Sequence, residues 1–195
     1  MEQIIFATNN KNKVEEVKSI VGSSFNVISM KEAGLDLDIP EPHETLEENA
    51  LEKSRTVNQL TGQNCFSEDT GLEVEALNGA PGVKSARYAG DEPSTKDNIE
   101  KLLKNLEPIH NKKARFRTVI SAIVNGEQKT FEGICEGTII PEQRGTGGFG
   151  YDSVFVPTGS HKTFAEMLLE EKNLFSHRKK AILKLASFLS EFWKN

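Results

Sequence analysis

Gln3-Ile4-Ile5-Phe6-Ala7-Thr8-Asn9-Asn10-Lys11-Asn12-Lys13-Val14, near the start of the chain, passes from one periodicity to another without a linker. Ile4, Ile5 and Phe6 read as a short buried strand that stops at Thr8-Asn9-Asn10. Val14, Val17, Ile20 and Val21 then recur at helical spacing, so a helix follows directly. Working outward, Phe25-Asn26-Val27-Ile28 reads as a second strand, and residues 30–43 are loop-like, with Gly34, Pro40 and Pro42. Leu46, Ala50, Val57 and Leu60 mark one face of a second helix ending near Gly62. Cys65-Phe66-Ser67 and Leu72-Glu73-Val74 read as two short strands, and residues 78–82 as a turn-rich loop. Ser94-Thr95-Lys96-Asp97 resembles a capping box, heading a helix whose apolar face is Ile99, Leu102, Leu103 and Leu106. Residues 116–124 and 130–137 are long strands about Asn125-Gly126, a strong hairpin signal. After a glycine-rich stretch at 145–150 come a strand at Val154-Phe155-Val156 and an amphipathic helix through Ala181, Ile182, Leu185, Leu189 and Phe192. The order predicts an α/β fold, one domain over residues 1–195, with two lobes around a cleft as a natural arrangement.

Composition narrows the class further. The chain has 195 residues, 36% hydrophobic and 27% charged, with apolar residues recurring throughout, which excludes disorder. Its 24 basic and 29 acidic residues give a net charge of -5, against a nonspecific nucleic-acid or membrane-surface binder. A small anionic substrate needs only a local cluster of positive groups. No apolar run approaches the ~18 residues that span a bilayer, and the N-terminal residues carry no apolar signal core. Cys65 and Cys135 are too few for a disulfide framework or zinc site and read as reduced core residues. These features predict a cytoplasmic protein.

Four segments have residues suited to chemistry. Thr8, Asn9, Asn10, Lys11, Asn12 and Lys13 lie where a helix begins, and a helix N-terminus attracts anions. An Asn N-cap with solvated lysines accounts for them equally. Ser67-Glu68-Asp69-Thr70-Gly71 places a carboxylate pair at a strand end, which suits Mg²⁺ or the orientation of a water. An acidic turn closed by Gly71 is the plainer alternative. In Arg144-Gly145-Thr146-Gly147-Gly148-Phe149-Gly150-Tyr151-Asp152, an aromatic offers a stacking surface for a base and Asp152 a group for its edge. A flexible hairpin loop with a core Phe is the alternative there. Lys172, Ser176, His177 and Arg178, near the start of the last helix, offer cations or simply an N-cap with surface basic residues. His43, His110 and His161 show no partner spacing, and Trp193 reads as a helix anchor. Taken together, the set suits a nucleoside triphosphate: cations for phosphates, carboxylates for a metal, an aromatic for a base.

The motifs FATNNKNKVEEV (6–17), EENA (47–50), SEDTGLEVEALNGAPGVKSARYAG (67–90), RGTGGFGYDSVF (144–155) and EEKNLFSHRKKA (170–181) resemble those of the inosine/xanthosine triphosphate pyrophosphatases, in order and over nearly the whole chain. That resemblance implies an elongated α/β fold with a central mixed β-sheet flanked by helices, two lobes with a nucleotide cleft between them, and a homodimer. It implies Mg²⁺-dependent conversion of noncanonical purine triphosphates (ITP, dITP, XTP) and water to the monophosphate and pyrophosphate. By motif, residues 8–13 would hold phosphates, Asp69 would be the catalytic carboxylate and a metal ligand, and Glu41 a second ligand. Thr70 would contact substrate; Phe149, Gly150, Tyr151 and Asp152 would stack on and bond the base. Lys172, His177 and Arg178 would complete the base pocket. The chain has Glu68-Asp69-Thr70-Gly71 where the family often has Asp-Asp-Ser-Gly. Pro40-Glu41-Pro42-His43-Glu44-Thr45 replaces a Glu-Glu-Thr-Gly type of loop, which leaves Glu41, Glu44 and Glu68 open as second ligand.

Overall fold

In the computed structural model, which describes residues 2–22 and 25–193, the opening apolar run is strand β1 (Gln3–Phe6), with Ile4, Ile5 and Phe6 fully buried. It lies between two parallel neighbours, β2 (Asn26–Ser29) and β3 (Cys65–Val74). A strand flanked in this way carries a continuous apolar run instead of an alternation. Helix α1 (Lys11–Val21) links β1 to β2, with Asn10 as its N-cap. Helix α2 (Leu46–Thr61) starts at the Thr45 cap, whose side chain accepts the Glu48 N–H, and stops at Gly62 in the left-handed region. Leu46, Ala50 and Val57 face the core as expected; Leu60 does not, and is 59% exposed in the last turn.

The two short strands expected around residues 65–74 are one, β3, in which Ser67, Glu68, Asp69, Leu72 and Val74 are all buried. Gly71 closes no turn. An added Cβ there would lie 2.6 Å from the Gly82 carbonyl oxygen, so glycine permits the close approach of β4 (Pro81–Gly82), paired antiparallel to β3. Helix α3 (Thr95–Leu106) begins with the expected Ser94–Asp97 capping box. Strands β5 (Lys113–Val124) and β6 (Glu127–Ile139) flank Asn125-Gly126, with φ of +51° and +82°, the pair of positive values a type I′ hairpin turn demands. Strand β7 (Phe155–Pro157), helix α4 (Leu169–Phe175) and helix α5 (His177–Phe192) complete the chain. The strand order is β2-β1-β3-β5-β6-β7 with β4 on β3, a mixed sheet in an α/β fold.

The described residues divide into two compact units. The first contains the residues up to Asp69, Thr118–Gly133 and those from Arg178 onward; the second contains Thr70–Arg117 and Ile134–His177. In the first, Ala181, Ile182, Leu185 and Leu189 of α5 join Ile4, Phe6, Val17 and Phe66 in one cluster, where the Phe6 and Phe66 rings stack 4.5 Å apart. Trp193 meets Phe25 edge-on at 5.7 Å, as a helix anchor should. In the second, Ile99, Leu102 and Leu106 of α3 pack with Leu72, Val74, Phe116, Phe155 and Phe164, and Leu103 is half-buried beside them. Cys65 and Cys135 are buried thiols, and burial pushes the Cys65 thiol up to about 12. Among the described residues, no helix is long and apolar enough to cross a membrane.

Candidate functional site

The turn from β1 into α1 is built by its own side chains. Thr8 Oγ1 accepts the Asn10 N–H at 3.2 Å, Asn10 Oδ1 accepts the Lys13 N–H at 3.2 Å, and Asn9 donates to the Leu37 carbonyl at 2.9 Å. Asn10 is thus the N-cap that the plainer reading allowed, and it shapes a helix start whose first amides have no intrahelical acceptor. Lys13, one turn in, does not extend into solvent: its Nζ lies 3.2 Å from Glu68 Oε1 on β3. The strand acid and the strand-to-helix corner are therefore neighbours within the first unit.

Glu68 is fully buried and held by Arg178 through two parallel bonds, Nε to Oε2 and Nη2 to Oε1, both 2.8 Å. Arg178 also bonds Glu16 on α1. The fork matches a carboxylate bidentately, and two cations, Lys13 and Arg178, balance two anions, Glu16 and Glu68. Burial alone would raise the pKa of Glu68; the Arg178 guanidinium, then the Lys13 ammonium, outweigh it and hold the carboxyl far below the usual carboxylate range. Glu68 is ionised and engaged as an internal counter-ion.

Asp69, the next residue, meets a different set of partners from α2. Its Oδ2 accepts from Asn49 Nδ2 at 3.4 Å, and its Oδ1 lies 3.8 Å from Lys53 Nζ. Lys53 also bonds the Glu41 carboxylate and donates to the Glu68 carbonyl at 2.7 Å. Asn49 clasps the preceding loop by accepting the His43 N–H at 2.9 Å and donating to the His43 carbonyl at 3.1 Å. The structure thus brings Glu41 beside Lys53, whereas Glu44 is exposed. Among the described residues, no three His, Cys, Asp or Glu side chains gather as a metal cluster. The acidic candidates are two carboxylates on one ammonium.

The second unit holds the glycine-rich segment. Asp152 Oδ2 accepts the Phe149 N–H at 2.9 Å and the Lys172 ammonium at 2.7 Å, so the 149–152 turn closes on a buried ion pair. Lys172 Nζ also lies 5.0 Å from the centroid of the Phe149 ring and 5.2 Å from that of Phe164. Phe149 is half-buried, so its ring is not wholly absorbed by the core. Tyr151 is buried, and its hydroxyl donates to the Ser85 carbonyl at 2.9 Å. His177 is buried, its ring stacked 4.8 Å from Phe116. Thr70, half-buried, follows Asp69 in β3.

The Ham1 family model matches residues 4–188. This chain belongs to the Ham1 family. A dITP/XTP pyrophosphatase of Porphyromonas gingivalis is 50% identical over 190 residues, covering 97% of this chain and 98% of that one. The dITP/XTP pyrophosphatase of Christiangramia forsetii is 48% identical over 189 residues, 97% and 100% of the two chains. The solved Ham1 protein of Staphylococcus aureus superposes with a TM-score of 0.87 at 40% identity, covering 97% of this chain and 99% of that one.

In this Ham1 chain, sequence reasoning grouped Arg178 with the base-facing residues, whereas the structure groups it with Glu16 and Glu68 in the first unit. It missed Lys53, Asn49 and Glu16. A signal for the first two existed: Asn49 and Lys53 share the buried stripe of α2 with Leu46, Ala50 and Val57, where polar side chains need a partner.

Proposed function

We propose that this protein is a Mg²⁺-dependent nucleoside-triphosphate pyrophosphatase that hydrolyses noncanonical purine nucleotides (ITP, dITP and XTP) to the monophosphate and pyrophosphate. One observation carries the reading: on successive residues, β3 presents a carboxylate tied to Lys13 at the head of α1 and a carboxylate beside Lys53. A triphosphate tail needs ammonium groups and a helix N-terminus to balance its charge. A water-activating carboxylate must lie near those cations without being consumed by them. Glu68 is neutralised by Arg178 at 2.8 Å and Lys13 at 3.2 Å; Asp69, beside Lys53 at 3.8 Å, is the carboxylate the family motif assigns to the water. The name shared by the relatives, dITP/XTP pyrophosphatase, supports the same chemistry.

In this mechanism Lys13 and the start of α1, with Thr8, Asn9, Asn10, Lys11 and Asn12, bind the phosphates. Asp69 accepts a proton as water attacks phosphorus at the α–β linkage; the bridging P–O bond breaks and pyrophosphate leaves. Glu41 and Asp69 would hold Mg²⁺. Both already reach one ammonium, so a single cation lies within range of both, and magnesium takes one or two carboxylates with phosphate oxygens and waters. The ion supplies charge neutralisation and a more acidic water. In the second unit, Phe149 offers stacking worth ~1–3 kcal/mol, with Gly150, Tyr151 and Asp152 in the same turn, while Thr70 and His177 would contact the substrate. Lys172 is the donor suited to a 6-oxo purine, and adenine, with a 6-amino donor there, leaves mismatched groups. Arg178 is assigned instead to orienting Glu68. The reading includes a homodimer and a cytoplasmic location, the latter in keeping with two buried thiols.

The test is product identity and base preference. The wild type should release pyrophosphate and not orthophosphate from ITP, with kcat/KM for ITP and XTP well above that for ATP. Asp69→Asn should lower kcat by about 100-fold or more, the range of a lost general base. Orthophosphate as the product would make the protein a general phosphatase, and full activity in Asp69→Asn would remove that residue from the chemistry.

A further inference from the structure

We propose that Ser85 is a positioning residue that ties the 149–152 turn to the β3–β4 ladder, and that this tie sets the base preference. Ser85 opens the short 3-10 turn Ser85–Arg87 that follows β4. Its Oγ accepts the Leu72 N–H at 2.9 Å and donates to the Gly82 carbonyl at 2.6 Å. Leu72 and Gly82 face each other in the ladder, so one hydroxyl clamps both strands at a single rung. That rung adjoins Gly71, where β3 and β4 approach too closely for any side chain, and Thr70 precedes it. The Ser85 main-chain carbonyl accepts the Tyr151 hydroxyl at 2.9 Å, so the same residue bonds the ladder through its side chain and the turn through its backbone.

Tyr151 is 4% exposed, and burial raises its pKa, so the hydroxyl stays protonated and remains a donor at any working pH. It lies between Gly150 and Asp152, and Asp152 gathers the Phe149 N–H and the Lys172 ammonium. A displacement of the turn therefore moves the Phe149 ring and the Lys172 donor together. Alignment to within about half an ångström is what separates a selective site from a permissive one. The inference rests on the proposed reading of 149–152 and Lys172 as the groups that meet the base.

The experiment uses the full chain with Ser85→Ala, which removes the Oγ bonds, and Tyr151→Phe, which keeps the ring and removes the hydroxyl. Two readouts are taken: amide hydrogen exchange, and KM and kcat for ITP and ATP. Ser85→Ala should exchange faster at Leu72, and both variants should exchange faster across 149–152. In both, the ITP-to-ATP preference should fall about tenfold, the worth of one buried hydrogen bond, with the change carried mainly by KM. Unchanged exchange at 149–152 in folded variants overturns the tie. Faster exchange with an unmoved preference, or a fall in kcat equal for both substrates, overturns its role in base choice. Should Ser85→Ala fail to fold, Tyr151→Phe decides alone. A wild type without base preference would sink the functional reading instead, and hydrogen exchange would still decide the tie.

Discussion

Arg178, Lys53 and Asp69 show how buried charge is distributed among partners from separate elements. Arg178 is 1% exposed, and removing it would leave Glu16 and Glu68 short of a cation in the interior. Arg178→Met should destabilise the fold by about 3–5 kcal/mol, read as a lower urea midpoint, because an uncompensated buried carboxylate costs more than the pair contributes. None of this was legible beforehand. Arg178 and Glu16 are 162 positions apart, and nothing local marks either as the other's partner. Ser67–Gly71, by contrast, was legible as a candidate from its carboxylate pair at a strand end, and Asn10 was legible as a cap.

At the scale of elements, the hairpin and the caps were read correctly because their causes are local. Asn125-Gly126 needs two positive φ angles, which a β-branched residue disfavours, so Gly126→Val should destabilise by roughly 1 kcal/mol or more in thermal melts. Strand β3 was misread as two pieces because Glu68 and Asp69 break its apolar pattern; their partners come from α1, α2 and α5, outside any local window. The turn after β2 carries a pH dependence of its own. The Ser29 N–H, then Lys18, hold the Glu32 carboxyl at about 2, below its ordinary 4.5. A depressed folded-state pKa contributes stability that is present above the unfolded value and lost as pH falls through the folded one. The Tm gap between wild type and Glu32→Gln should therefore be fully open at pH 6, narrow below about 4.5, and close near pH 2.

For the molecule as a whole, metal dependence and stability should separate. Glu41 and Asp69 already share the Lys53 ammonium as a counter-ion, so the chain does not require a divalent ion to fold around them. Chelation should abolish pyrophosphate release, and Mg²⁺ should restore it, while calorimetry finds Tm moved by less than about 4 °C, the effect of roughly 1 kcal/mol in a chain of this length. A larger loss would make the metal structural. The α/β class was legible because strand and helix periods alternate along the chain, whereas the mixed sheet was implied by the family resemblance. Two lobes were expected, but which residues make up each unit was not legible, since each is assembled from separated stretches.

That discontinuity bears on synthesis. Ile4 and Phe6 are made long before their packing partners Ala181, Ile182, Leu185 and Leu189. At about 5–20 residues per second, the nascent chain carries that apolar stretch uncovered for roughly ten to thirty-five seconds. Stalled chains ending before residue 177 should therefore be cut by protease near their N-terminus and recruit holdase chaperones, and released ones should resist both.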